Sequence, residues 1–353
     1  MIKLLHSGDW HLDAPQTRRS QEEQAHLRRE ALLLPGKIAQ LCRAQGCQMM
    51  LLSGDLFDGN YSQESLRAVY AALEEAAVPV FIAPGNHDFC SQNSPWIREN
   101  WPENVHIFTN ATLESVYLAD LDCRIYGAGY QSMDCPPLLQ GFRAREDARY
   151  HIGLVHGDPL TPGSPYNPIT AGQIKSSGLQ YLALGHIHKD GKLRQGNTLC
   201  AWPGCPMGQG FDELGPKGVY IVTVEESAQA EFLPLDTPRF FQLSVPAGVD
   251  PLAAVENALP AGESLDFYRI CLTGEADKPD LDALRKALDR FPHLTLLDET
   301  VPVLDLWGSA DSDSLEGVYF RLLRKALEED EAAATLAARI SRQILSGQEV
   351  VLP

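Results

Sequence analysis

The 353-residue chain is 44% hydrophobic and 22% charged, with a formal net charge of −18, a composition that supports a buried core and about two domains. Such acidity repels phosphate backbones and argues against a free-standing nucleic-acid-binding surface. No apolar run approaches the roughly 18 residues of a membrane span, and eight cysteines without a C-x-x-C pair point to reduced thiols in a cytoplasm.

The opening IKLLH (2–6) reads as a first strand, its apolar part being too short for a signal peptide. A helix-like stretch follows over 22–45, with Pro35 and Gly36 expected to interrupt it. QMMLLS (48–53) and VPVFIA (78–83) read as buried strands around a helix at 65–77. YHIGLVH (150–156), LQYLALG (179–185) and GVYIVTVE (218–225) are further strands. This order predicts an α/β fold, a mixed-sheet sandwich flanked by helices, over 1–238. Segments 240–245, 250–259, 267–274, 279–291 and 294–298 alternate strand and helix, which predicts a small α+β capping domain at 239–305. Residues 306–353 form the remaining part, with a flexible polar segment at 309–314 and then one helical stretch, 315–345, rich in Ala, Leu, Arg and Glu. Acidity is denser in the second part of the chain: residues 1–238 carry 27 acidic and 18 basic groups, and residues 239–353 carry 20 and 11.

Five short motifs follow predicted strands: GDWH (Asp9, His11), GDLFD (Asp55, Asp58), GNHD (Asn86, His87, Asp88), VHG (His156) and GHIH (His186, His188). Ligands in open α/β sheets bind beyond the carboxyl ends of strands, so these residues are expected to converge. Any one motif could be a solvated loop. Five in succession, all bearing carboxylate, imidazole or amide donors, indicate a metal centre of the Mn, Fe or Zn type, with more ligands than one tetrahedral ion requires.

The ordered set D-x-H, G-D-x-x-D, G-N-H-D, H and G-H-x-H resembles the calcineurin-like metallophosphoesterase superfamily. That resemblance implies one ion held by Asp9, His11, Asp55 and His188, and a second held by Asp55, Asn86, His156 and His186, with Asp55 bridging. It also implies a His87–Asp58 pair assisting departure of the leaving group, although Asp58 could equally be a turn or cap residue. GDWHLDAP, the segment 202–220 and FYRICLTGE are similar to the SbcD-like and YhaO-like branch of DNA-repair nucleases, Asp13 departing from the Gly of the SbcD form. The expected function is therefore Mn-dependent phosphodiester hydrolysis by a DNA exonuclease of DNA repair. By the same resemblance, an SMC-like ATPase is the expected partner of the C-terminal helices, and a homodimer is allowed. Two alternatives stand beside this reading: a phosphodiesterase acting on cyclic or other small nucleotides, and a binding subunit that mainly docks the ATPase. A protein phosphatase fits less well, because GDLFDGN lacks the Arg that usually follows.

Elsewhere, His6 is expected in the core, His26 and His293 on the surface, and His106 and His151 in structural roles. Cys90 is expected to be a small buried side chain. Tyr166 and Phe211 read as loop-packing residues, with stacking on a base as the sharper alternative.

Overall fold

The computed structural model describes residues 1–15, 19–347 and 350; the end of the expected tail lies outside them. The chain divides into two compact units, Met1–Phe241 and Gln242–Pro353.

Unit 1 begins with β1 (Ile2–Ser7), α1 (Gln21–Ala44), β2 (Met49–Leu52), α2 (Gln63–Glu75), β3 (Val80–Ile82), the short α3 (Pro95–Arg98) and β4 (Val105–Ile107). It continues with β5 (Glu114–Leu118), β6 (Cys123–Gly127), β7 (Tyr150–His156), α4 (Ala171–Ser176), β8 (Tyr181–Gly185), β9 (Gly191–Gln195), β10 (Thr198–Trp202), β11 (Gly218–Val224) and β12 (Ala228–Pro234). The strands form two six-stranded sheets, ordered β12-β11-β1-β2-β3-β4 and β5-β6-β7-β8-β10-β9.

Strand alternation explains the layers. Leu4, Met49, Leu51 and Phe81 turn inward and meet Ile125, Ile152, Leu154 and Ala183 of the other sheet in one buried cluster. Their neighbours Leu5, Met50, Leu52 and Ile82 turn outward under Leu34 and Ile38 of α1 and Val69 and Leu73 of α2. Strands buried on both faces read as continuous apolar runs, which is why these segments are visible in the sequence.

One expectation fails in α1. The helix runs unbroken through Pro35, opened by a Ser20–Glu23 capping box. The proline costs one backbone hydrogen bond, but Leu34, Pro35, Ile38 and Cys42 are buried together, and burial over 24 residues outweighs that loss. The same packed face also buries His26, which lies on the i+4 row of Leu34, Ile38 and Cys42 and was expected at the surface.

β13 (Phe240–Pro246) leads into unit 2, where α5 (Pro251–Ala258), β14 (Phe267–Thr273), α6 (Leu281–Ala287) and β15 (Leu294–Asp298) follow. β13, β14 and β15 make a three-stranded sheet. His293, also expected outside, is buried and stacks on Phe267 at 4.3 Å between ring centres. The expected single helical stretch is two helices, α7 (Leu315–Ala326) and α8 (Glu331–Leu345), because Asp330 caps a second N-terminus. The segment expected to be flexible is ordered by a 3₁₀ turn at Gly308–Asp311. Its Ala310 is fully buried with Phe320 and Ala338, and Arg321 donates to the Ala310 and Ser312 carbonyls at 2.7 Å.

Among the described residues, no helix is long and apolar enough to cross a membrane.

Candidate metal centre

Parallel pairing of β1 with β2, β2 with β3, and β7 with β8 brings the carboxyl ends of five motif-bearing strands to one end of the sandwich. The register Ser7↔Leu52 sets the first two loops side by side. They stay zipped beyond the sheet: Asp9 N–H donates to Gly54 O at 2.9 Å, His11 N–H to Asp55 O at 3.0 Å and Leu12 N–H to Leu56 O at 3.0 Å. Buried Trp10 and Leu12 anchor the first loop.

Four site residues adopt left-handed backbone: Asp9 (φ 53°), His11 (φ 46°), Asp55 (φ 51°) and His186 (φ 96°). Each such residue costs of order 1–3 kcal/mol, and strain of this kind clusters where function over-determines the geometry. Asp13 is also left-handed (φ 66°), a conformation that glycine adopts without strain. Gly85 has a different constraint. A Cβ there would lie 2.3 Å from Asp55 Oδ1 and 2.7 Å from His156 Nδ1.

The nine motif residues given a metal-binding or proton-transfer role lie in this cluster. Asp55 sits among them, with Oδ2 3.3 Å from His156 Nε2 and 3.9 Å from His11 Nε2. His11 and His188 face each other through Nε2 atoms 3.0 Å apart. On the other side, Asn86 Oδ1 is 2.9 Å from His156 Nε2 and 3.3 Å from His186 Nδ1. Asp9 accepts the His186 backbone N–H at 2.9 Å. His87 Nδ1 donates to Asp58 Oδ1 at 2.6 Å, and the same oxygen lies 3.3 Å from His11 Nδ1.

Burial governs the charges. Asp9, Asp55 and His156 are at most 1% exposed. Burial pushes the Asp9 carboxyl up. Burial alone would raise Asp55 too, yet the charge and hydrogen bond of His156 hold it well below the usual carboxylate range. The reciprocal effect outweighs the burial of His156 and lifts it to about 9. Burial and the neighbouring His156 press His186 down to about 4. Hydrogen bonds from His11 and His87 hold Asp58 low, and Asp58 in turn raises His87.

This donor set fits divalent cations. His156 turns its Nδ1 to the Ser53 carbonyl at 2.8 Å, which leaves Nε2 aimed inward; His188 likewise commits Nδ1 to Glu213. Fixing one imidazole nitrogen so that the other is free is the usual backing of a ligating histidine. Two groups, Asp9–His11–His188 and Asp9–Asp55–His156, each bring three donor atoms within 4.8 Å of one another.

Some contributors escape a reading of the sequence alone. Asp88 belongs to GNHD, but the motif by itself assigns it no role. Its carboxylate accepts backbone N–H groups of Gly85 (2.8 Å), Leu56 (2.8 Å) and Asp55 (3.2 Å), tying the second loop to the third. Burial and the Asp55 charge raise it to about 6. Asn167 donates to the His156 carbonyl at 2.8 Å from a left-handed turn. Glu213 stands 25 positions after His188, and no spacing rule connects them. Tyr166 reaches the site, its ring 4.7 Å from that of His186, whereas Phe211 packs on Phe240. His6 is a core residue as expected, bonded to Tyr181 Oη at 2.7 Å and Ser53 Oγ at 3.1 Å. Cys90 is only partly buried, and burial raises its thiol to about 12.

The chain resembles known proteins in sequence and in fold. The chain is 32% identical over 241 residues to the uncharacterized metallophosphoesterase YhaO of Bacillus subtilis (strain 168), covering 63% of this chain and 57% of that protein, just over half its length. It is 23% identical over 344 residues to the SbcD component of the SbcCD nuclease of the same organism, covering 83% of this chain and 85% of that protein. Among solved structures, it resembles a dimetal phosphatase from Danio rerio at 13% identity, with a TM-score of 0.45, over 65% of this chain and 96% of that one. Residues 2–190 match the calcineurin-like phosphoesterases, a family of metal-dependent phosphoester hydrolases, and the chain belongs to that family.

Proposed function

We propose that this chain hydrolyses phosphodiesters with two divalent ions and acts as an SbcD-like DNA exonuclease in DNA repair. The observation that carries the reading is the convergence of seven donor side chains, Asp55 with three on either side of it. One ion would be held by Asp9, His11, Asp55 and His188, the other by Asp55, Asn86, His156 and His186, with Mn²⁺ as the favoured metal and Fe or Zn also suited to the donors. Bound there, the ions supply Lewis acidity toward phosphate oxygens and water.

The chain's own residues supply the rest. His87 is 40% exposed at the side chain, and its hydrogen bond to Asp58 favours the protonated ring. It is placed to donate a proton to the departing oxygen, while Asp58 fixes its orientation. Asp58 also touches His11, so it couples the proton donor to a metal ligand.

DNA as substrate is supported by the relative named as part of a nuclease, which aligns over most of both chains. The net charge of −18 favours a partner that supplies positive charge. We assign that role to an SMC-like ATPase docking on the C-terminal hairpin, whose Leu315, Val318 and Leu322 are exposed along one face of α7. Eight free cysteines are in keeping with a cytoplasmic setting. The acidity equally favours a second reading, a phosphodiesterase for cyclic or other small nucleotides. Purified protein with Mn²⁺ is to be tested on linear duplex DNA and on cyclic dinucleotides side by side. Progressive loss of DNA ends supports the nuclease; turnover of the dinucleotides alone would overturn it in favour of the second reading.

A further inference from the structure

The loop after β10 closes over the outer edge of His188. It carries Glu213, which is only 8% exposed. One carboxylate oxygen of Glu213 bonds the Nδ1 of His188, and the other accepts the Gln209 backbone N–H at 2.6 Å. The carboxylate is therefore tied to the main chain through its second oxygen. The same loop also grips the His188 backbone: its carbonyl accepts Cys205 N–H at 3.1 Å and Lys217 Nζ at 3.4 Å. Held from both ends, the ring presents Nε2 to the site, 3.0 Å from His11 Nε2.

The other imidazoles are backed differently. His156 leans on a neutral carbonyl, that of Ser53. His186 Nδ1 faces the Asn86 amide oxygen within the site itself, so that contact does not back the ring. His11 has Asp58 behind it at 3.3 Å, but that carboxylate is held more closely by His87 at 2.6 Å. A carboxylate behind a ligating imidazole raises its basicity and fixes its tautomer, and removing such a partner typically weakens metal binding by about 10- to 100-fold. That strengthening falls on the half of the centre to which His188 belongs.

We infer that Glu213 is a positioning residue that selectively strengthens the ion held by Asp9, His11, Asp55 and His188, so that the two ions bind with unequal affinity and this one binds first. The inference rests on the two-ion reading above. Glu213→Gln removes the charge with little change of shape, and Glu213→Asp keeps the charge on a shorter arm.

The experiment is calorimetric titration of Mn²⁺ into chelator-stripped wild type, Glu213→Gln and Glu213→Asp. The wild type is expected to show two separable binding events. In Glu213→Gln the tighter event weakens by about 10- to 100-fold while the weaker stays within about twofold, and Glu213→Asp recovers part of the loss. Unchanged affinities in Glu213→Gln overturn the inference while leaving the two-ion reading intact. Equal weakening of both events overturns it as well, because a merely structural residue would act on both halves. A wild type that binds one ion or none removes the two-ion reading, and the inference with it.

Discussion

The metal-centre loops of unit 1 and the C-terminal hairpin of unit 2 depart from ordinary burial in opposite directions. At the strand ends, Asp9, Asp55, Asn86 and His156 are nearly or fully buried, and Asp9 and Asp55 hold left-handed backbone. In the hairpin, Phe320 and Ala338 are buried while Leu315 is 88% and Leu322 60% exposed. Buried carboxylates are costly unless paired or bound to metal, and contiguous exposed apolar side chains mark interaction surfaces. The strand-end loops are shaped for cations, and the exposed face of α7 is the one proposed above to meet a partner.

The largest break in this contrast is expected at Asp55. Asp55→Asn removes the carboxylate shared by both halves, so phosphodiester hydrolysis should fall below detection while the circular dichroism spectrum stays folded. Retention of substantial activity would remove Asp55 from the bridging position. His87→Ala should keep metal content and lose about 10² to 10⁴ in rate on esters with poor leaving groups. An activated nitrophenyl ester needs little proton assistance, so its loss should be smaller; equal losses would make His87 a phosphate-positioning residue instead.

Behind the loops, His6 tests whether buried polar groups set the acid stability of unit 1. Burial pushes it down to about 3, against an opposing backbone hydrogen bond. Since the folded pKa lies below the ordinary 6.5, its stabilising contribution is complete above pH 6.5 and is lost as pH falls toward 3. In metal-stripped protein, His6→Gln should flatten the acid limb of stability by up to about 1.4 kcal/mol per pH unit. Urea midpoints measured from pH 7 to pH 4 check this, and parallel profiles would contradict it. The smallest effect belongs to the hairpin. Leu322→Ser lies on the exposed face and should change stability by no more than about 0.5 kcal/mol, while weakening retention of the ATPase in pull-down. A large stability loss would show instead that the face is part of the folded core.

The two regions also differ in how far their sequence can be read. Asp9, His11, Asp55, Asn86, His87, His156, His186 and His188 are visible because metal chemistry restricts side-chain identity and because strands buried on both faces announce their ends. Asp88 is visible as the last residue of GNHD but its role is not, and Asn167 is not visible at all, since both act on backbone groups that only tertiary structure brings together. Glu213 is hidden for the same reason. In unit 2, helical periodicity marks 315–345 but not its division at Asp330, because Leu, Ala and Glu on both sides keep helix propensity high through the turn. Pro35 misleads in the opposite sense. Local propensity points to a break, and the packing of one long apolar face prevails.

In the proposed site, seven side chains, with the Asp55 carboxylate shared, hold two cations. Elemental analysis of wild-type protein dialysed against excess Mn²⁺ and then freed of loose metal tests this most directly. About two ions per chain are expected; one or fewer under these conditions would rule out the shared two-ion site.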